Sequence, residues 1–343
     1  MSNDSFSPPI VRRAAVIGSG LAGLTAAHRL KASGVTVTLF EKSRGPGGRL
    51  ASKRLTDGAA DIGAQYFTIR NPAFRSFLNH YAGADSYAPW QARLRYQRES
   101  GEWEDFLPEQ RYVGVPRMTA ISRRLSEELT VHSQVRIERL ARAIDGHWQL
   151  VDTNGERYGS FDAVIITAPP AQTRDLLAAS ELEPLVHAFE EDVDRMQACW
   201  TLVAQFESGL GLEYQGLQAQ SDILQWAGNN SSKPGREESG EWWVLHGRPD
   251  WSDQYQDAAP AYIEEQLLKA FAEATGVTRT PDQTLTHRWL YARSSAKAGP
   301  GHLWFDVQRV ALIGDWLSGG RVEGAFDSAE SLVREWRKTG VLA

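Results

Sequence analysis

Cysteine is nearly absent from this chain of 343 residues, which contains only Cys199. A single cysteine forms neither an intramolecular disulfide nor a thiolate metal cage. The eight histidines are never three or four residues apart, which excludes the simplest metal site on a helix. We therefore expect no metal and a location in a reducing cytoplasm.

Long apolar runs and an excess of positive charge are missing as well. No run approaches the roughly 18 apolar residues that a membrane-spanning helix requires. The formal net charge is −6, so no basic face dominates as it does in proteins that bind nucleic acid. We expect neither a membrane nor a nucleic acid as a partner. The length exceeds that of a usual single core and predicts one large domain or two intertwined ones.

The N-terminal region has the pattern of a βαβ unit. Residues 14–17 (AAVI) form a short apolar run, typical of a strand buried on both faces. GSGLAG (18–23) follows and opens a helical pattern, and VTVTLF (35–40) predicts a second strand that ends at Glu41. This order of a strand, a glycine turn, a helix, a second strand and an acidic residue predicts a dinucleotide-binding site.

Each of these residue types has a physical role in such a site. Gly18 permits the tight turn, Gly20 lets the backbone approach a pyrophosphate, and Gly23 lets helix and strand pack closely. The helix N-terminus offers N–H groups and partial positive charge to the pyrophosphate, and Glu41 accepts hydrogen bonds from ribose hydroxyls. The unit does not by itself distinguish FAD from NAD. Its predicted cofactor contacts are Gly18, Gly20, Leu21, Ala22, Gly23 and Glu41.

The next segment, KSRGPGGR (42–49), resembles the sequence that follows the ribose acid in flavin amine oxidases. The resemblance implies that its glycines approach FAD and that its arginines contact phosphate, with Lys53 and Arg54 as further candidates for phosphate or substrate. DIGAQYF (61–67) resembles the family segment whose backbone runs along the isoalloxazine, although Tyr66 and Phe67 could equally be core. The FAD contacts implied here are Lys42, Arg44, Gly47, Gly48, Arg49, Gly63, Ala64, Gln65 and Tyr66.

The C-terminal segment VALIGDWLSGGRVEGAF (310–326) resembles the second FAD motif of glutathione-reductase-type flavoproteins. By that resemblance Asp315 accepts a ribityl hydroxyl, and the N-terminus of the following helix points at the flavin N1–C2=O edge. No cysteine lies near this motif, so we expect FAD to be bound noncovalently. The FAD contacts implied here are Gly314, Asp315, Arg321, Val322, Glu323 and Ala325.

The motifs together predict an α/β fold. It consists of a glutathione-reductase-type Rossmann domain that binds FAD and an inserted α+β, amine-oxidase-like substrate domain with a mixed antiparallel sheet and helices. Residues 148–170 predict a hairpin at Asn154-Gly155 and the strand that closes the FAD fold. The predicted FAD segments are 11–70, 113–170 and 290–343. The predicted substrate segments are 71–112 and 171–289.

Three stretches, NNSSKPGR (229–236), WVLHG (243–247) and HRWLYAR (287–293), resemble the bacterial renalase-like branch of the flavin amine oxidase superfamily. That resemblance implies an oxidase of 2- and 6-dihydro isomers of NAD(P)H, which passes hydride to flavin N5 and reduces O2 to hydrogen peroxide. His246, Trp289 and Tyr291 are then the candidate catalytic residues. A monomer or weak homodimer is expected.

Other interpretations of these stretches stay open. Asn230, Lys233 and Arg236 could attract substrate phosphates or lie in a solvated loop, and His246 could be a structural histidine. For the whole chain, the alternatives are an oxidase of a small amine, a non-catalytic redox-responsive FAD module and, more weakly, a desaturase of isoprenoid-like lipids.

Overall fold

The computed structural model describes residues 10–56, 58–237, 239–295 and 299–342. Asp57, residues 296–298 and Ala343 fall within predicted FAD segments and lie outside the described residues. Contacts divide the chain into two units. The first takes the residues up to Gly48, Ser122–Arg195 and those from Ser294 onward, and the second takes Arg49–Ile121 and Met196–Arg293.

The units and the predicted domain segments differ at four boundaries. Residues 49–70, 113–121 and 290–293, which we assigned to the FAD segments, belong to the second unit, and residues 171–195 belong to the first. The roles given to these segments stay a prediction.

The helices and strands are numbered in chain order. The helices are α1 (Leu21–Lys31), α2 (Pro72–Phe77), α3 (Thr119–Ser126), α4 (Pro170–Ala178), α5 (Glu190–Asp194), α6 (Pro249–Gln254), α7 (Pro260–Thr275) and α8 (Val322–Lys338). The strands are β1 (Arg13–Ile17), β2 (Thr36–Glu41), β3 (Ser52–Leu55), β4 (Gly58–Asp61), β5 (Tyr87–Pro89), β6 (Leu94–Gln97), β7 (Trp103–Asp105), β8 (Tyr112–Gly114), β9 (Thr130–Ser133), β10 (Ile137–Arg142), β11 (Trp148–Asp152), β12 (Arg157–Phe161), β13 (Ala163–Ile166), β14 (Met196–Phe206), β15 (Gly216–Gln218), β16 (Leu224–Asn229), β17 (Glu241–Gly247), β18 (Gln283–Ser294), β19 (His302–Phe305) and β20 (Val310–Ile313).

The first unit is built on a sheet with the strand order β19-β20-β13-β1-β2-β9. Its strands are parallel except β19, which pairs antiparallel with β20. Helices cover parallel strands on both faces, which is why β13 and β20 are uninterrupted apolar runs and fully buried. A three-stranded antiparallel sheet, β10-β11-β12, includes the predicted hairpin.

The second unit is built on a seven-stranded sheet with the order β18-β14-β17-β16-β15-β6-β7. Successive side chains of a strand point to opposite faces, and the two faces of this sheet bury different partners. Leu202, Trp243 and Leu245 form a core cluster with residues of α7. On the other face, Val203 and its neighbours form a cluster with Ile62, which follows β4. That second face also carries the candidate catalytic side chains.

Candidate functional site

The turn after β1 has the geometry that a pyrophosphate site requires. Gly18 has a φ of 104°, and a Cβ on Gly23 would lie 2.1 Å from the carbonyl oxygen of Gly18. A Cβ on Gly20, by contrast, would meet no protein atom within 4 Å, so its backbone borders open space. No side chain caps the N-terminus of α1. The helix therefore keeps N–H groups available for an anion.

Glu41 ends β2 next to this turn and is buried. Its carboxylate accepts hydrogen bonds from the Ser19 backbone N–H at 3.0 Å, the Ser19 hydroxyl at 2.8 Å and the Ser43 N–H at 2.8 Å. The loop that follows returns to the turn, since the Gly47 N–H donates to the Ser19 carbonyl at 3.0 Å. The structure thus brings predicted residues from 18–23 and from 41–48 together.

Two predicted cationic contacts of this loop are exposed. The Lys42 ammonium donates to the Gln172 side chain at 2.8 Å, and Arg44 is also exposed. Neither side chain is held in the turn itself.

The C-terminal motif has a second uncapped helix start. Arg321 precedes α8, and no side chain caps this N-terminus. A Cβ on Gly324 would lie 2.4 Å from the Ser318 carbonyl oxygen, so the close turn requires glycine. Asp315 and Glu323 are both largely buried. The motif implies contacts to the ribityl chain and to the flavin. The buried acids, the glycine in the close turn and the uncapped N–H groups of α8 are suited to those contacts.

In the second unit, the segment after β4 lies against the backbone of Arg49. The Ala64 N–H donates to the Arg49 carbonyl at 2.9 Å, and a Cβ on Gly63 would lie 2.0 Å from the same oxygen. The Arg49 guanidinium donates to the Ala292 carbonyl at 3.2 Å. Only glycine fits at position 63, because the backbone of this segment packs directly against that of Arg49.

Two of the three candidate catalytic residues converge on one atom, the carbonyl oxygen of Ile62. The Trp289 indole N–H donates to it at 3.0 Å, the Thr201 hydroxyl at 3.2 Å, and Nε2 of His246 lies 3.3 Å away. Tyr291 is two residues after Trp289 on β18 and therefore shares its face. The alternation of side chains along β17 and β18 explains why all three candidates lie on one side of the sheet, where His246 and Trp289 reach the same carbonyl.

Both histidines on this face are neutral near pH 7. Burial lowers the pKa of His246 to about 4 against the opposing effect of the Ile62 hydrogen bond, and the charge of Lys233 adds to the lowering. Burial and the charge of Lys53 lower the pKa of His287 to about 4. The Lys53 ammonium lies 3.3 Å from Nδ1 of His287. A neutral imidazole can both donate and accept a hydrogen bond.

The structure corrects the interpretation of Asn230, Lys233 and Arg236 as phosphate-attracting or solvated residues. The Lys233 and Arg236 side chains are at most 1% exposed and both form ion pairs with Asp61, Lys233 at 3.2 Å. The Asn230 amide oxygen accepts from the Asp61 N–H at 3.2 Å. Ion pairs between residues so far apart in the chain leave no local sequence signal, so this cluster was missed.

The Asp61 cluster also uses the side chain of a predicted FAD contact. The Gln65 amide donates to the Asp61 carbonyl at 2.5 Å and accepts from the Lys233 ammonium at 3.3 Å. Phe67 is buried among aromatic side chains and belongs to the core, whereas the Tyr66 ring is only partly buried.

Two further properties concern the described residues only. No three His, Cys, Asp or Glu side chains there are grouped as metal ligands. Among the described helices, none has both the length and the apolar character needed to cross a membrane.

The chain matches two protein-family models and is similar in sequence to several known proteins. Residues 16–81 match the model of NAD(P)-binding Rossmann-like domains, and residues 95–335 match that of flavin containing amine oxidoreductases. The chain is 28% identical over 208 residues to the tRNA 5-methylaminomethyl-2-thiouridine biosynthesis bifunctional protein of Magnetococcus marinus, covering 48% of this chain and 31% of that protein. It is 34% identical over 106 residues to coproporphyrinogen III oxidase of Mycobacterium tuberculosis, covering 29% and 23%.

The chain spans about a third or less of the length of the curated relatives that it matches. Its fold resembles that of putrescine oxidase bound to putrescine, with a TM-score of 0.70 and 12% identity over 95% of this chain and 99% of the other. The likeness of fold and the matched models confirm the predicted fold class.

Proposed function

Because this chain belongs to the flavin-containing amine oxidoreductase family and has FAD as its cofactor, we propose that it oxidises 2- and 6-dihydro isomers of NAD(P)H to NAD(P)+. When bound, FAD supplies the hydride acceptor at N5 and passes the electrons to O2, which becomes hydrogen peroxide. In the first unit, the proposed FAD contacts are those of the two uncapped helix starts, the buried acids Glu41 and Asp315, and the backbone of Gly47 and Gly48. In the second unit, taken by itself, the proposed contacts are the backbone of Arg49 and of residues 63–66.

The main support for this proposal is the distribution of charged side chains on the Ile62 side of the seven-stranded sheet. The strands β14, β17 and β18, which are described in full, direct no carboxylate toward the Ile62 side of the sheet. The same side has Lys53 next to His287, and the nearby Asp61 is already paired with Lys233 and Arg236. A protonated amine is disfavoured in such surroundings, whereas an anionic dinucleotide is favoured.

The side chains on this face are suited to positioning rather than to proton transfer. A dihydronicotinamide ring has no proton to lose at the donor nitrogen, so its oxidation requires little acid–base chemistry. We propose that neutral His246 hydrogen-bonds the carboxamide and that Trp289, fixed by its bond to the Ile62 carbonyl, and Tyr291 form the walls that exclude water. Holding two rings in a reactive arrangement lowers the barrier by removing orientational freedom from the chemical step.

Oxidation of a small amine is the second candidate, supported by the family and by the fold likeness to putrescine oxidase. The test compares 2- and 6-dihydro-NAD, ordinary NADH and putrescine as substrates of the FAD-loaded protein in air. We expect one NAD+ and one hydrogen peroxide for each isomer molecule consumed. Peroxide from putrescine, with none from the isomers, would contradict the proposal in favour of an amine oxidase.

The variant His246→Ala tests the role of the imidazole. We expect kcat/KM for the isomers to fall at least about tenfold, which corresponds to about 1.4 kcal/mol of transition-state stabilisation. The control is His187→Ala, since the His187 side chain is 80% exposed and we expect no change there. Equal activity of the two variants would remove His246 from the proposed site.

A further inference from the structure

A cavity of about 510 Å³ lies in the second unit and is lined by residues 90–94 and 105–111. Its volume is within the range of roughly 300–1,000 Å³ that is usual for small-molecule sites. The walls combine the aromatic rings of Trp90 and Phe106 with the charged side chains of Arg93, Asp105, Glu109 and Arg111. A ligand that fits such walls has both a flat ring and a charge.

Most charges of this cavity are already neutralised. Arg93 forms an ion pair with Asp105 at 3.1 Å, and Glu109 forms one with Arg70 at 2.7 Å. Arg111 has no carboxylate within 4 Å among the described residues. The unpaired charge of the lining is therefore positive, which selects an anion.

Arg111 is also held in place by its neighbours. Its guanidinium carbon lies 5.4 Å from the centre of the Tyr66 ring and 5.3 Å from that of the Phe106 ring. One terminal nitrogen donates to the Glu109 carbonyl at 3.1 Å, and the buried Nε has no partner in the described part of the chain. An arginine that packs against two rings, and whose second terminal nitrogen bonds no residue in the described part of the chain, can donate to a phosphate through that nitrogen.

The cavity adjoins the segment that contains the Ile62 carbonyl. Tyr66 packs 6.2 Å from Trp90, measured between ring centres, and is four residues after Ile62. Four residues span at most about 14 Å, so Tyr66 joins the Trp90 wall of the cavity to the Ile62 segment over a short stretch of chain. A substrate that reaches both places must have an extended shape with a ring at each end.

We propose that this cavity binds the AMP half of the dinucleotide substrate, with Arg111 contacting its phosphate and the partly exposed Phe106 ring stacking on the adenine. Aromatic side chains stack on any base because every base has a π-face. The inference rests on the proposed function, because it assigns a binding site to the half of the proposed substrate that lacks the nicotinamide ring. The cavity then determines that dinucleotides react better than mononucleotides.

The test uses ADP-ribose, which lacks the nicotinamide, and measures its binding to the FAD-loaded protein by calorimetry with excess FAD. We expect Arg111→Met to weaken binding at least tenfold. The same variant should raise KM for the dinucleotide isomers and leave the rate with the corresponding dihydronicotinamide mononucleotides unchanged. Arg98→Met is the matched control, since Arg98 pairs with Glu104 at 2.6 Å and does not line the cavity. Arg111→Lys, which keeps the charge, should retain part of the affinity if the Met variant is unstable.

The outcomes separate this inference from the proposed function. If the wild type oxidises the isomers but Arg111→Met and Arg98→Met bind ADP-ribose equally, the function stands and the cavity assignment is wrong. If the isomers do not react but ADP-ribose binds through Arg111, the function fails and the cavity is supported as an adenine-nucleotide site. Equal KM values for dinucleotides and mononucleotides in the wild type would also overturn the inference.

Discussion

Replacing Asp61 by asparagine should destabilise the protein more than any exposed charge change. The carboxylate is 1% exposed and accepts hydrogen bonds from the Ser52 hydroxyl at 2.7 Å and the Met118 N–H at 3.0 Å, besides its ion pairs with Lys233 and Arg236. Burial would raise its pKa, but the two cations and these hydrogen bonds lower it to about 2. Asp61→Asn leaves two buried cations without a counter-charge, for which we expect a loss of about 3–5 kcal/mol.

A matched set of variants tests this reasoning. Asp175→Asn makes the same chemical change in an exposed pair, where Arg174 and Asp175 are 2.8 Å apart and 47% and 66% exposed, and should cost less than about 1 kcal/mol. Lys233→Met should be tolerated far better than Asp61→Asn, because Asp61 keeps Arg236 as its partner. Chemical unfolding of the FAD-loaded proteins measures each change. A loss for Asp61→Asn no larger than that for Asp175→Asn would refute the account.

Two other predictions follow from the glycine turn and the neutral histidines. Gly20→Ala should weaken FAD binding at least about tenfold (~1.4 kcal/mol) but leave the melting temperature of the FAD-free protein unchanged, since a Cβ there meets no protein atom within 4 Å. Gly45→Ala, also without a neighbour within 4 Å, is the control and should keep FAD; loss of FAD from both variants would count against a specific role for Gly20. The pKa values of His246 and His287 lie at about 4 in the folded protein and near 6.5 when unfolded, so the unfolded chain binds more protons in that window and stability should fall as pH falls from 6.5 to 4. Melting temperatures measured between pH 6.5 and 4 should fall with pH in the wild type and fall less in the double variant His246→Gln/His287→Gln. A wild-type melting temperature that does not change with pH would contradict the lowered pKa values.

Local sequence patterns predicted the first unit closely. Within the C-terminal motif, residues 310–313 form β20, and the helix that the motif implies begins at Val322. Its apolar residues Phe326, Ala329, Leu332, Val333 and Trp336, which recur three or four positions apart, are all buried. These features depend on strand runs, glycine turns and helical periodicity, which are local patterns that a short stretch of sequence displays.

The chemistry of the second unit could be predicted only in part. His246 and Trp289 were candidate residues from the sequence, but their shared acceptor, the Ile62 carbonyl, lies 184 and 227 residues away in sequence. The pairing of Lys233 with Asp61 across 172 residues is likewise decided by tertiary packing. Sequence composition makes such lysines look solvated, because an unpaired charge is rarely buried and the partner is not evident.

The most direct test of the central proposal is anaerobic mixing of the FAD-loaded protein with 2- and 6-dihydro-NAD, with NADH and putrescine in parallel. Loss of the oxidised-flavin absorbance reports electron transfer to the cofactor without any contribution from oxygen. We expect rapid bleaching by the isomers alone, followed by peroxide when oxygen is admitted. Bleaching by putrescine alone, or by none of the four compounds, would contradict the proposed substrate.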